Sequence, residues 1–332
     1  MPRKRFRLEL KPEPIYLGDR TLVFCTLKLP RLDEPEQRFH DLDTLAMQAV
    51  REAELGADVI DLAAMSLNPN RFPVSAEVEL RSVVPMVKRL RKENLPWICV
   101  TTCHAVVAEE SLQAGATFIN DPSGLKIDPE LAPVVSRLDG ALIVTHMRET
   151  PPAWSQLAPL HDPVNEALVV LGANVNRALR AGVPRSRILL DPGLGLGKRK
   201  EENTQILGQF ARLQELDYPM VITCAGKLFA GDAVPGGAEA AELAAATFAL
   251  QSGVHAIRGP FTVDYRAMAN TIDPLLLSRG AIDQALKRPS ATAPRTRVQP
   301  PLHPLVDTEG ANARKGKLPP LRPLRPPLRG DT

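Results

Sequence analysis

The chain is 332 residues long, with 44% hydrophobic, 24% charged and only 4% aromatic residues, the composition of a soluble globular protein with an aliphatic core. The net charge of +3 sits at the ends: Arg3, Lys4, Arg5 and Arg7 open the chain, and the segment from about Pro289 carries eight Lys or Arg against three acids. The middle is therefore slightly acidic, which argues against a nucleic-acid site on the folded body, and no apolar run approaches the ~20 residues of a membrane span.

Residues 1–20 read as a basic N-terminal extension, and with no apolar stretch after its charges it is not a secretory leader. From Thr21 to about Lys287, short apolar strands alternate with amphipathic helical stretches. Eight strands are predicted: TLVFCTL (21–27), ADVIDLAA (57–64), WICVTT (97–102), TFIND (117–121), GALIVTHM (140–147), RILLD (187–191), PMVITCA (219–225) and HAIRG (255–259). They are apolar throughout, as parallel strands covered on both faces are. Several helical stretches stop at a glycine before the next strand: Gly56, Gly115, Gly182 and Gly253. Eight such units predict a (β/α)8 TIM barrel over residues 21–287. An open doubly wound sheet is the alternative, but no G-x-G-x-x-G follows the first strand.

Beyond residue 288 the chain becomes Pro- and Arg-rich and ends KLPPLRPLRPPLRGDT. Proline removes backbone donors and favours an extended chain, so residues 288–332 read as a disordered tail. A PxxP ligand for a protein partner, or a basic tether to an acidic surface, are its functional alternatives. Cys25, Cys99, Cys103 and Cys224 form no CxxC and read as reduced thiols of a cytoplasmic protein. His104 and His146 lie near some of them, but the spacings match no compact metal-ligand motif, so no metal site is assigned.

In a barrel, chemistry belongs at the C-terminal ends of the strands. The sixth strand ends there in LLDPGLGLGK. A carboxylate closing a buried strand is costly without a partner, and the glycines that follow Asp191 allow backbone to approach a ligand. A helix cap is the plainer role for Asp191. The other strand ends add Asn120, Lys227 and Arg258 to the same mouth, with Thr101 and His146 as further mouth residues. A carboxylate accepts two parallel hydrogen bonds from an amidine-like edge. Asn donates and accepts, a guanidinium stacks on a ring, and Lys donates to a ring carbonyl. The set suits a flat heteroaromatic ligand.

The segments GADVIDLAA, AGATFINDPSG, VTHMRETPP, RILLDPGLGLGK and KLFAG resemble, in order and spacing, the signatures of the dihydropteroate synthase family over roughly residues 21–275. The resemblance implies a pterin-binding TIM barrel of folate biosynthesis, with a reduced pterin or folate as ligand, transferase chemistry, and room for a homodimer. It implies that Asp191 grips the pterin edge beside Asn120, Lys227 and Arg258, with Lys227 the candidate catalytic group.

Departures from the family pattern are concentrated at one end of that site. The family's first-loop Asn, which holds magnesium and the substrate diphosphate, corresponds to Leu27. The Thr and Arg that hold diphosphate and p-aminobenzoate correspond to Leu67 and Asn68, and a second pterin-site Asp corresponds to Thr101. The Ser and Arg beside Lys227 and the His after Arg258 are also absent. Removing one group that stabilises a departing anion costs ~2.7–4 kcal/mol of barrier. The sequence therefore points to a pterin or folate binder that is not a competent synthase and holds no magnesium. A divergent but working synthase, and a structural protein acting through its tail, are the alternatives.

Overall fold

The computed structural model describes residues 3–30, 42–68, 70, 72–93, 95, 97–225, 228–229 and 235–278. The predicted tail and Lys227 lie outside the described residues. Two short strands come first, β1 (Phe6–Leu8) and β2 (Ile15–Leu17), paired antiparallel. Eight parallel strands follow: β3 (Leu22–Lys28), β4 (Val59–Ala63), β5 (Trp97–Thr101), β6 (Phe118–Asp121), β7 (Ala141–Thr145), β8 (Ile188–Asp191), β9 (Val221–Ile222) and β10 (Ala256–Gly259). Their order is β8-β7-β6-β5-β4-β3-β10-β9. A parallel bridge between Leu190 and Met220, with the Leu190 N–H donating to the Pro219 carbonyl at 2.9 Å, joins β8 to the start of β9 and closes the barrel. Each predicted strand overlaps one of these eight, and all but the first contain theirs whole; β3 runs one residue past its prediction, to Lys28.

The helices α1 (Leu42–Glu54), α2 (Ala76–Lys92), α3 (Ala105–Gln113), α4 (Leu131–Arg137), α5 (Pro163–Arg180), α6 (Lys200–Gly208), α7 (Ala238–Gln251) and α8 (Thr262–Ser278) surround it. Gly115 follows α3 at φ +110°, with an Arg91 side chain where its Cβ would be. A side chain there would be both strained and blocked.

The strands are apolar throughout because the pleat divides them between two cores. Val23, Cys25, Ile60, Leu62, Val100, Ile119, Leu142, Val144, Leu190 and Ile257 face the helices. Phe24, Val59, Cys99, Phe118, Ala141, Ile143, Leu189, Val221 and Ala256 fill the interior. Phe24 and Phe118 meet edge to face there at 5.7 Å. The barrel is thus a packed core, and polar chemistry is confined to its mouth.

The first 20 residues are more than an extension. Leu8, Leu10, Ile15 and Leu17 belong to the interior core, so the β1–β2 hairpin covers the N-terminal end of the barrel. Arg3 is 1% exposed, and its Nη1 pairs with Asp273 Oδ1 of α8 at 2.8 Å. His255 Nδ1 accepts the Met220 N–H at 3.1 Å, which leaves the ring proton on Nε2, 2.9 Å from the Lys4 carbonyl. Burial holds that imidazole neutral, lowering it to about 3. All four cysteines are free and buried. Among the described residues no helix is long and apolar enough to cross a membrane.

Candidate ligand site at the barrel mouth

The pleat that points Phe24, Val59, Cys99, Phe118, Ile143, Leu189, Val221 and Ala256 inward also points the residues two positions further along inward. These are Thr26, Asp61, Thr101, Asn120, Thr145, Asp191, Thr223 and Arg258. Strand register sets several of them side by side: Thr26 opposite Asp61, Thr101 opposite Asn120, and Thr145 opposite Asp191. A polar ring therefore caps the apolar interior at the C-terminal end.

One arc of the ring is a hydrogen-bond chain. Thr145 Oγ1 donates to Asn120 Oδ1 (3.2 Å), Asn120 Nδ2 to Thr101 Oγ1 (3.0 Å), and Thr101 Oγ1 to Asp61 Oδ1 (2.8 Å). Thr26 Oγ1 donates to the other Asp61 oxygen at 3.3 Å. The chain fixes which end of the Asn120 amide faces which strand. Its remaining amide hydrogen and lone pair are left for a ligand.

The other arc is ionic. Asp191 Oδ1 accepts the Gly193 N–H at 2.7 Å, and Oδ2 accepts from Arg258 Nη2. Arg258 Nε donates in turn to Thr223 Oγ1 at 3.1 Å, while its Nη1 is buried without a partner among the described residues. Burial pushes the Asp191 carboxyl above the ordinary carboxylate range, and Arg258, the Gly193 N–H and Lys198 pull it back. Gly193, Gly195 and Gly197 have φ of +62°, +80° and +73°. A Cβ on Gly193 would lie 2.2 Å from the His146 carbonyl oxygen. The glycines after Asp191 thus fold the loop tightly back over β7.

The structure brings together Thr101, Asn120, Asp191 and Arg258. It does not bring the His146 side chain into the ring: the residue is fully buried, and among the described residues neither ring nitrogen has a partner. Its backbone serves the site, because its N–H donates to the Asp191 carbonyl at 2.9 Å. Asp61, 1% exposed, is a site residue that the sequence reading passed over. Its signal was parity, since it lies two residues after Val59 in an otherwise apolar strand.

Leu27 packs into the outer core rather than the mouth. Magnesium takes oxygen ligands, and Leu27 supplies none. Leu67 is half-buried, and the exposed Asn68 spends its Oδ1 on the Asn70 N–H at 2.9 Å. The side chains of Leu27 and Leu67 thus carry no oxygen atom, and the Asn68 side-chain carbonyl oxygen is already engaged.

Behind the ring, Thr102 Oγ1 donates to Glu79 Oε2 of α2 at 2.6 Å. Burial pushes this carboxyl up to about 7, against the pull of Thr102 and His104. The folded value lies above the unfolded one, so the folded state holds a proton that the unfolded chain has already released. Stability from this group is full below about pH 4.3 and is lost as pH rises through about 7, a change on the order of 3 kcal/mol. The difference in unfolding free energy between wild type and Glu79→Gln should shift by that order between pH 4 and pH 8. A constant difference would refute the burial argument.

An eight-stranded parallel barrel with a carboxylate, an amide and a guanidinium around its C-terminal mouth has the architecture of a small-molecule site on a (β/α)8 barrel. Residues 34–259 match the pterin binding enzyme family. The dihydropteroate synthase of Synechocystis sp. is 34% identical over 216 residues, spanning 64% of this chain and 74% of that one. That of Bacillus subtilis is 30% identical over 279 residues, spanning 82% and 95%. The crystal structure of the Yersinia pestis dihydropteroate synthase with a sulfonamide drug complex superimposes with a TM-score of 0.75 at 25% identity, covering 82% of this chain and all of that one. The chain belongs to the dihydropteroate synthase family of pterin-binding barrels.

Proposed function

We propose that this protein binds a reduced pterin, alone or as the head of a folate, in the barrel mouth, and that it is not a competent dihydropteroate synthase. The observation that carries the reading is the lopsided ring. Asp191 and Asn120 supply paired acceptors and an oriented amide for a 2-aminopyrimidinone edge, while Leu27, Leu67 and Asn68 supply nothing for a departing diphosphate. The amino group and adjacent ring N–H donate to Asp191, and the Asn120 amide meets the neighbouring ring edge. Buried Arg258 holds Asp191 ionised against its desolvation.

A titration with reduced pterins and folates, with and without magnesium, tests this directly. Binding should occur and should not depend on the metal. Turnover of p-aminobenzoate with hydroxymethyl-dihydropterin diphosphate should be undetectable. The second reading, a divergent working synthase, is favoured by relatives that carry that name. Turnover at rates ordinary for enzymes, about 1–10³ per second, would establish it and refute ours.

A further inference from the structure

At the end of the barrel opposite the mouth, a cavity of about 360 Å³ opens between β1 and the residues that lead into β8 and β9. That volume falls within the range of small-molecule sites. Its apolar lining is Phe6 and Leu8 from β1 and Tyr218 and Pro219 from the approach to β9. Arg7 and Arg185 bring two guanidinium groups to it. No residue of the polar ring or of the glycine loop lines it.

The walls are braced by the protein itself. The Glu9 N–H donates to the Ser186 carbonyl at 3.0 Å, and Arg187 Nε donates to the Glu9 carbonyl at 2.8 Å, so the hairpin is tied to the start of β8. The Phe6 ring meets the His255 imidazole edge to face at 5.2 Å. The Arg185 guanidinium lies over the Tyr218 ring, 4.0 Å from its centre, and its Nη2 donates to Asp217 Oδ2 at 2.9 Å and to the Asp217 carbonyl. A cavity preformed in this way asks a ligand to order little of the protein on binding.

The packing leaves two things over. Tyr218 is 5% exposed, and its Oη is buried without a partner among the described residues. A buried hydroxyl without a hydrogen bond is costly, and this one belongs to a cavity wall. The other is charge. Among the described residues, Arg185 spends only Nη2, and Arg7 spends only Nη1, on Glu9. Each fork offers five N–H groups, so both keep donors. Asp217 accepts from Lys4 Nζ at 2.9 Å as well as from Arg185, and the two cations hold it below the ordinary carboxylate range. Three cations, Lys4, Arg7 and Arg185, thus meet two carboxylates, Glu9 and Asp217, and one positive charge is left uncompensated among the described residues.

We propose that this cavity is a binding site for a small aromatic carboxylate, separate from the mouth. The flat body packs against Phe6, Leu8 and Pro219, and the carboxylate accepts from the free N–H groups of Arg185 and Arg7. A single negative charge matches the single uncompensated cation. The proposal stands on the N-terminal end of the barrel alone and does not depend on what the mouth binds.

Calorimetric titration of the full chain with 2-naphthoate, and with 2-naphthamide as the uncharged control, tests it. Naphthoate should bind saturably and more tightly than the amide, and added salt should narrow the difference. Arg185→Ala should weaken naphthoate about three- to tenfold, and Arg185→Glu more, with little change for the amide. Arg185 also anchors Asp217, so melting curves must show each variant folded. Arg7→Ala removes only an exposed partner of Glu9 and should weaken naphthoate without that risk. An excess of reduced pterin should not displace naphthoate. No saturable binding, equal affinity for naphthoate and the amide, or naphthoate affinity unchanged by both Arg185→Ala and Arg7→Ala overturns the proposal. Displacement by the pterin would place naphthoate in the mouth and overturn it as well.

Discussion

Replacing Asp191 by Asn is expected to weaken reduced-pterin binding about thirtyfold to several thousandfold, the equivalent of ~2–5 kcal/mol for removing one partner of a buried charged pair. The carboxylate sits at the end of β8, buried, with one oxygen on the Gly193 N–H at 2.7 Å and the other on Arg258. Each oxygen keeps a further lone pair, and those are what a 2-amino group and ring N–H seek. Asn presents an NH₂ group where one oxygen stood, so donor faces donor. The substitution also strips Arg258 of its counter-charge, and among the described residues one Arg258 nitrogen is already buried without a partner. Affinities must therefore be compared well below each protein's unfolding temperature. Asn120→Ala supplies a second variant that leaves the Asp191–Arg258 pair intact and should also weaken binding. Equal pterin affinity in wild type and Asp191→Asn would reduce Asp191 to a loop-forming residue.

The fold was legible because hydrophobic patterning dominates this chain. Eight apolar runs, each followed by a helical stretch, admit few architectures, and the structure closes them into a barrel through Leu190 and Met220. Asn120, Asp191 and Arg258 were legible because each ends an apolar strand with a polar group that needs a reason to be there. Thr101 was read as a bare loss of a carboxylate, which suggests that Thr101→Asp would restore binding. The structure argues otherwise, because Asp61 already stands 2.8 Å from Thr101 Oγ1. A second carboxylate there would oblige one of the pair to hold a proton. That relation depends on β4–β5 register across 40 residues of sequence, which no local pattern reveals. The N-terminal hairpin was hidden for a different reason. Its strands are three residues each, and Arg3, Lys4, Arg5 and Arg7 mask the alternation of Phe6, Leu8 and Leu10. Charge suggested solvent, whereas Arg3 is buried on a partner 270 residues away.

That buried pair carries the second large effect. Asp273 Oδ1 accepts from Arg3 Nη1 at 2.8 Å and from Thr21 Oγ1 at 2.7 Å, and Oδ2 accepts the Thr21 N–H at 2.7 Å. One carboxylate on α8 thus ties down both the hairpin and the entry to β3. Asp273→Ala removes the Arg3 counter-charge seen among the described residues, where its buried Nε and Nη2 already lack partners. Breaking a buried pair by removing one member costs ~3–5 kcal/mol, a large share of the 5–15 kcal/mol typical of whole proteins. Denaturant unfolding should show a loss of that order. Arg3→Met removes the cation instead and leaves Asp273 its two bonds to Thr21, so it should cost clearly less. A loss below ~1 kcal/mol for Asp273→Ala would mean that the hairpin is a loose appendage. The pair sits at the N-terminal end of the barrel and the polar ring at the other. Pterin affinity of the folded Asp273→Ala protein should accordingly match wild type, separating what holds the barrel shut from what its mouth binds.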